Sequence, residues 1–168
     1  MKRYILFLLG FLPLATLAQR VELSVAGNMV EIPYEQTQTE LKKGWKIVDI
    51  QLNDRKMRYL WGKQAKQLTD DQRPVFQITP GKNETLADYA IIRLKRMRQY
   101  RQLPKANPVN NDYIRIDLNA FSIQPVGELS FTIQPNEPFP QGEYILLNLL
   151  QKTQGELGDY IVFPFQIP

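Results

Sequence analysis

The 168-residue sequence predicts an antiparallel β-sandwich, and three observations carry the prediction. Apolar residues recur with period two in segment after segment. Twelve prolines and nine glycines punctuate those segments, and no stretch rich in Pro, Gly or Ser divides the chain. About ten short strands separated by turn signals describe one all-β domain rather than a helical or α/β fold.

The first eighteen residues stand apart. Lys2-Arg3, an apolar run from Tyr4 to Leu14, and small residues up to Ala18 have the form of a secretory signal peptide. The run is shorter than the ~20 residues a membrane-spanning helix needs. Residues 1–18 are therefore expected to be removed near Ala18, leaving residues 19–168 as an exported domain, periplasmic or extracellular, with no transmembrane segment. With no cysteine in the chain, the domain has to stand on its hydrophobic core, which ~150 residues can supply unaided. Without Lys2 and Arg3 the 21 basic residues fall to 19 against 17 acidic ones, a balance of +2 that offers no general attraction for nucleic acid.

The strands follow in order. Val21, Leu23 and Val25 share one face, and after a Gly27-Asn28 turn Val30, Ile32 and Tyr34 share another, which reads as a hairpin. The polar stretch Glu35–Gly44 reads as a mobile loop. Val48, Ile50 and Leu52, then an Asn53-Asp54 turn, then Met57, Tyr59 and Trp61, read as a second hairpin. Phe76 with Ile78, Ile114 with Ile116 and Leu118, and Leu129 with Phe131 and Ile133 are half-buried strands by the same alternation. The stretch from Leu86 to Leu103 has an apolar half and a basic half. It fits a long strand better than an amphipathic helix, because Arg93 and Arg96 interrupt the helical stripe. In the last segment Ile161, Phe163, Phe165 and Ile167 alternate, and Pro164 marks an edge strand or a bulge.

Several chemistries are missing. With neither His nor Cys, the chain has no Ser-His-Asp or Cys-His nucleophile and none of the common imidazole or thiolate metal sites. Ser24, Ser122 and Ser130 lie in or beside strands rather than in a glycine elbow. Carboxylates alone could hydrolyse glycosides, and Asp70-Asp71, Asp112 with Asp117, and Glu143 with Asp159 are the pairs that spacing allows. The loops "LTDDQ" and "NPVNNDY" supply oxygens but no calcium-loop pattern. The expected reading is a non-catalytic protein without cofactor or metal.

Binding residues are easier to nominate. Arg93, Lys95, Arg96, Arg98 and Arg101 form a basic strip which, taken as one strand, alternates between two faces and serves to guard an edge or to meet an anionic partner. Tyr59 and Trp61 are either core plugs or a surface that stacks on sugars, and Trp45 is a further aromatic of the same kind.

A Gly-acid-Tyr-Ile unit occurs twice, at Gly142–Ile145 and Gly158–Ile161. The alternation turns it into carpentry: Gly142 and Gly158 permit turns, Glu143 and Asp159 stay wet, and Tyr144 and Tyr160 begin strands. The ending "FPQGEYILLNLL" followed by "GDYIVFPFQI" resembles the closing hairpin of immunoglobulin-like sandwiches and of exported bacterial β-sandwich proteins. That resemblance implies that Tyr144 hydrogen-bonds back to the connecting loop. The function expected is an exported, non-catalytic module that contacts a protein or a cell-envelope component. A carbohydrate-binding module using the aromatics is the alternative, and a carboxylate glycosidase a distant third.

Overall fold

The computed structural model describes residues 19–42, 46–47, 50–51, 55–104, 113–152 and 160–168. The signal segment, Trp45, Val48, Leu52, the Asn53-Asp54 turn, Asp112, Gly158 and Asp159 lie outside the described residues. The fold is all-β, with antiparallel sheets that pack together as in a β-sandwich. Sixteen strand segments occur among the described residues: β1 Arg20–Val25, β2 Asn28–Glu31, β3 Glu35–Gln36, β4 Gln38–Lys42, β5 Lys46–Ile47, β6 Ile50–Gln51, β7 Arg55–Trp61, β8 Gln67–Leu68, β9 Phe76–Thr79, β10 Tyr89–Arg96, β11 Tyr100–Gln102, β12 Tyr113–Arg115, β13 Phe121–Val126, β14 Ser130–Pro135, β15 Gly142–Lys152 and β16 Tyr160–Ile167. They outnumber the ten expected; four of them are only two residues long, and the stretch read as one long strand from Leu86 to Leu103 holds two, β10 and β11. Among the described residues only one strand pair, β8 with β16, is parallel.

One sheet has the order β13-β14-β9-β1-β2. Its inner face carries Phe121, Ile133, Phe76, Ile78, Val21 and Leu23, all buried. The first hairpin turns at Ala26-Gly27, one residue earlier than the sequence suggests. Both residues have positive φ (50° and 83°), as a two-residue turn matched to strand twist requires. Beyond the turn Ile32 is buried, but Val30 on the edge strand β2 and Tyr34 past its end are exposed.

The other sheet runs β3-β16-β15-β10-β11-β7-β4. Its first and last members are consecutive in the chain, separated only by Thr37, so the sheet curls until its ends join. At the join Thr37 is fully buried. Its N–H donates to the Tyr160 carbonyl (2.9 Å), and its hydroxyl accepts the Tyr160 N–H (2.8 Å), taking the place of a ladder carbonyl where the strand bends. The described part of the segment expected to be a polar loop thus forms β3 and β4, paired with β16 and β7. The second hairpin differs accordingly. β7 pairs with β4, from Gln38↔Tyr59 to Lys42↔Arg55, while β5 and β6 pair with each other in the same register, Ile47↔Ile50.

Curling gives this sheet two buried faces. Outside, Tyr89, Ile91, Tyr144, Leu146, Phe163, Phe165 and Ile167 pack against the first sheet. Inside, Leu60, Ile92, Leu94, Leu103, Ile145, Leu147 and Val162 form a second core. Leu60 on β7 and Val162 on β16 share that core although three strands separate them in the sheet order, which is the packing signature of the curl.

The stretch from Leu86 to Leu103 is strand, as expected after a single turn of 3-10 helix at Leu86–Asp88. It folds back at Met97–Gln99 into the β10–β11 hairpin. Leu118 and Leu129 are exposed because each falls in a turn, beyond the strands they were expected to join. Pro164 sits inside a paired strand rather than at an edge. The backbone of its even-numbered neighbours faces the side where β3 pairs only at residues 161–162 and β8 only at 165–166. The missing donor therefore falls in the gap between two short ladders, where no partner needs it.

Tyr144 behaves as the closing-hairpin motif implies. Its hydroxyl donates to the Pro140 carbonyl at 2.6 Å, and its ring stacks between Phe139 and Phe165 with centroids 5.4 Å away on each side. Tyr144→Phe keeps the stacking and removes the bond. It should cost about 1 kcal/mol, read as a lower urea midpoint with unchanged slope. No measurable shift would show that the bond adds nothing to the corner. Gly142 does not need a left-handed turn. The Arg93 side chain lies across it, and a Cβ there would meet Arg93 Nε at 3.0 Å.

Candidate functional site

The first sheet covers the curled sheet only over β16, β15 and the start of β10. Among the described residues nothing from the first sheet covers the outer face from the end of β10 across β11, β7 and β4, and to that extent the face is bare: Lys95, Gln38, Glu40 and Trp61 are exposed, while Met57, Tyr59, Tyr100 and Gln102 are half-buried. The registers align its side chains in rows. Lys95, Gln102, Tyr59 and Gln38 are successive cross-strand partners, and Tyr100 pairs with Trp61 in the next row. The row beyond Tyr59 holds Met57 and Glu40.

Trp61 is 55% exposed, which settles its role as surface rather than core plug. Its indole N–H donates to Gln38 Oε1 at 2.6 Å, fixing the ring's orientation. Tyr59 meets it edge-on (centroids 5.4 Å, planes 89° apart), and Tyr100 leans on Tyr59 at 52°. The three rings form a corner rather than a flat shelf. Tyr100, which the pattern alone did not nominate, is brought in by the hairpin turn at Met97–Gln99.

That turn also redistributes the basic strip. Lys95 lies on the bare face and Arg98 in the turn at its margin, both exposed. Among the described residues neither has a carboxylate within ion-pair distance. Arg93 shares their side of β10 but is tied back, its Nη2 donating to the Gln141 carbonyl at 2.8 Å. Arg96 points to the other face, toward the inside of the curl, where its charge reaches Glu143.

Arg101 leaves the exposed strip altogether: it is 1% exposed. As the cross-strand partner of Arg96 and Leu60 it faces inward. Its Nη2 donates to Glu35 Oε2 (2.9 Å) and to the Trp61 carbonyl (3.2 Å), and its Nη1 lies 3.9 Å from Glu143 Oε2. Glu143, expected to be wet, is 4% exposed and accepts the Ala65 N–H at 2.9 Å. Among the described residues Nε and Nη1 of Arg101 and Oε1 of Glu143 have no hydrogen-bond partner. Burial pushes the Glu143 carboxyl above its ordinary value of 4.5, opposed by the Ala65 N–H and by Arg101. Arg58, also inward, lies 5.1 Å over the Tyr160 ring, so Tyr160 serves the interior opposite Phe163 and Phe165.

Of the carboxylates considered for hydrolysis, Asp70 is exposed, while Asp71, Asp117 and Glu143 each accept a backbone N–H. Asp71 Oδ1 accepts the Arg73 N–H, and Asp117 Oδ1 caps a turn by accepting from Asn119 and Ala120. Glu143 is tied to Ala65 and neighbours Arg101. Among the described residues no helix is long and apolar enough to cross a membrane. Comparisons with protein-family models, curated proteins and solved structures find no match to the chain.

Proposed function

We propose that the chain is an exported, non-catalytic β-sandwich module that contacts a protein or a cell-envelope component through the bare face of β10, β11, β7 and β4. The observation that carries this reading is the half-exposed Trp61, oriented by Gln38 and set among Tyr59, Tyr100 and the exposed Lys95. A large aromatic left in water with its polar atom already satisfied is a surface kept for contact, since aromatic anchors dominate interface energetics. Export, to the periplasm or beyond, rests on the form of residues 1–18, and the immunoglobulin-like affinity is supported by the Tyr144–Pro140 bond. Nucleic acid is not the partner of this reading, because the two cations without an ion-pair partner among the described residues of the face are too few to follow a phosphate backbone.

Co-sedimentation with cell envelopes isolated from the producing organism tests the reading. The mature protein should pellet with them, and Trp61→Ala/Tyr100→Ala should remain in the supernatant while melting at an unchanged temperature. Equal pelleting of both proteins, or of neither, would remove this face from consideration. The exposure of Trp61 also favours the narrower alternative of a carbohydrate-binding module, in which the ring stacks on a sugar.

A further inference from the structure

We infer that the bare face takes a single chain of an acidic polysaccharide; this rests on the reading of that face as the contact surface. Trp61 offers a half-exposed ring, and the perpendicular Tyr59 with the tilted Tyr100 closes one side of it. Coplanar rings would suit the flat surface of a packed glycan. Rings 89° and 52° apart leave a corner, which admits one strand. Amide groups flank the rings on both sides: Gln102 lies between Lys95 and Tyr59, and Gln38 lies beyond Tyr59. With Gln38 Oε1 occupied by the indole, its NH2 is left to donate to a sugar hydroxyl.

Charge selects the class of chain. Lys95 stands two strands from Tyr59 in the same row, about 10 Å at ordinary strand spacing, and Arg98 rises from the turn beside the Tyr100–Trp61 row. Both cations are exposed and without an ion-pair partner among the described residues, so a carboxylate or sulfate on a sugar bound at Trp61 meets them at no internal cost. Among the described residues the one acid on the face, Glu40, lies on the opposite side of Tyr59 from Trp61. It orients an acidic chain toward the Lys95–Arg98 end. A protein partner is the weaker fit, because three rings among amides offer little of the apolar core that a stable protein interface contains.

The test measures affinity of the mature protein for polygalacturonate and for laminarin, an acidic and a neutral polysaccharide, by gel retardation and calorimetry. Polygalacturonate should bind and release in high salt. Lys95→Glu/Arg98→Glu should weaken it about tenfold, the loss of two charge contacts at a wet surface, without moving the melting temperature. Trp61→Ala should abolish retention. Laminarin bound as tightly as polygalacturonate, with Lys95→Glu/Arg98→Glu indistinguishable from wild type, would overturn the acidic preference. No binding of either polysaccharide, with envelope co-sedimentation still dependent on Trp61 and Tyr100, would overturn the glycan inference and leave the contact face standing. Loss of that dependence too would end both.

Discussion

Replacing Arg101 by methionine should cost about 3 kcal/mol of folding stability at neutral pH, and the cost should shrink as the solution is acidified. The guanidinium is 1% exposed and lies between Glu35 at 2.9 Å and Glu143 at 3.9 Å. Methionine fills much of the same space but takes the nearest cation away from two carboxylates, leaving Glu143 only the more exposed Arg96. Removing one member of a buried ion pair typically costs about 3–5 kcal/mol. The lower end applies here because Glu35 keeps access to water and Glu143 can escape by binding a proton.

The pH dependence follows from that escape. Glu143 already has a raised pKa in the folded protein, first through desolvation, so between its unfolded value and its raised value the native state holds a proton that the unfolded chain has lost. Stability from this group is therefore present in acid and is lost as pH rises through the raised value. Removing Arg101 takes away a charge that lowers the pKa, so the window widens upward. Urea unfolding of wild type and Arg101→Met at neutral and mildly acidic pH checks both magnitude and slope. Arg101→Met/Glu143→Leu should recover most of the loss, since an apolar pair in place of a buried ionic one is often neutral or stabilising. A double variant less stable than Arg101→Met would show that Glu143 is not the group left stranded.

How far such a cluster can be read from sequence depends on the curl. Alternation locates the strands of the first sheet well, because that sheet has one dry face and one wet face: Val21 with Leu23, Phe76 with Ile78, and Ile133 are buried as the pattern requires. The same rule fails where a sheet is dry on both sides. Tyr89 to Ile92 are all buried, so β10 shows no period of two, which is why it could be weighed as a helix. In the sequence Glu143 reads as wet, because a turn and a strand entry usually are. Only the closure through Thr37, together with Ala65 lying over Glu143, makes that end of the strand interior. Thr37 itself lies in the most polar stretch of the domain, and no local signal marks it as the join. For the contact face, Tyr59 and Trp61 were legible as an i, i+2 pair. Tyr100 and the loss of Arg101 to the interior required knowing that the chain turns at Met97–Gln99, a turn with neither Gly nor Pro to announce it.

Phe165→Ala should cost about 4 kcal/mol, the largest single loss expected in the molecule, because this ring joins the two sheets. Phe165 is fully buried on β16. It stacks on Tyr144 of β15 at 5.4 Å and meets Phe76 of β9 edge-on at 5.0 Å. Alanine would forfeit the transfer energy of the ring and both aromatic contacts, and would leave a cavity walled by two rigid sheets that cannot close over it; such truncations cost about 3–5 kcal/mol. For a domain with no disulfide and an ordinary reserve of about 5–15 kcal/mol, that is enough to populate the unfolded chain measurably. Phe165→Leu fills most of the hole and should cost under ~1.5 kcal/mol. The ratio of the two losses separates packing from the mere presence of an apolar residue. If alanine and leucine lowered the urea midpoint equally, the ring would not be seated between the sheets, and the sandwich would be held elsewhere.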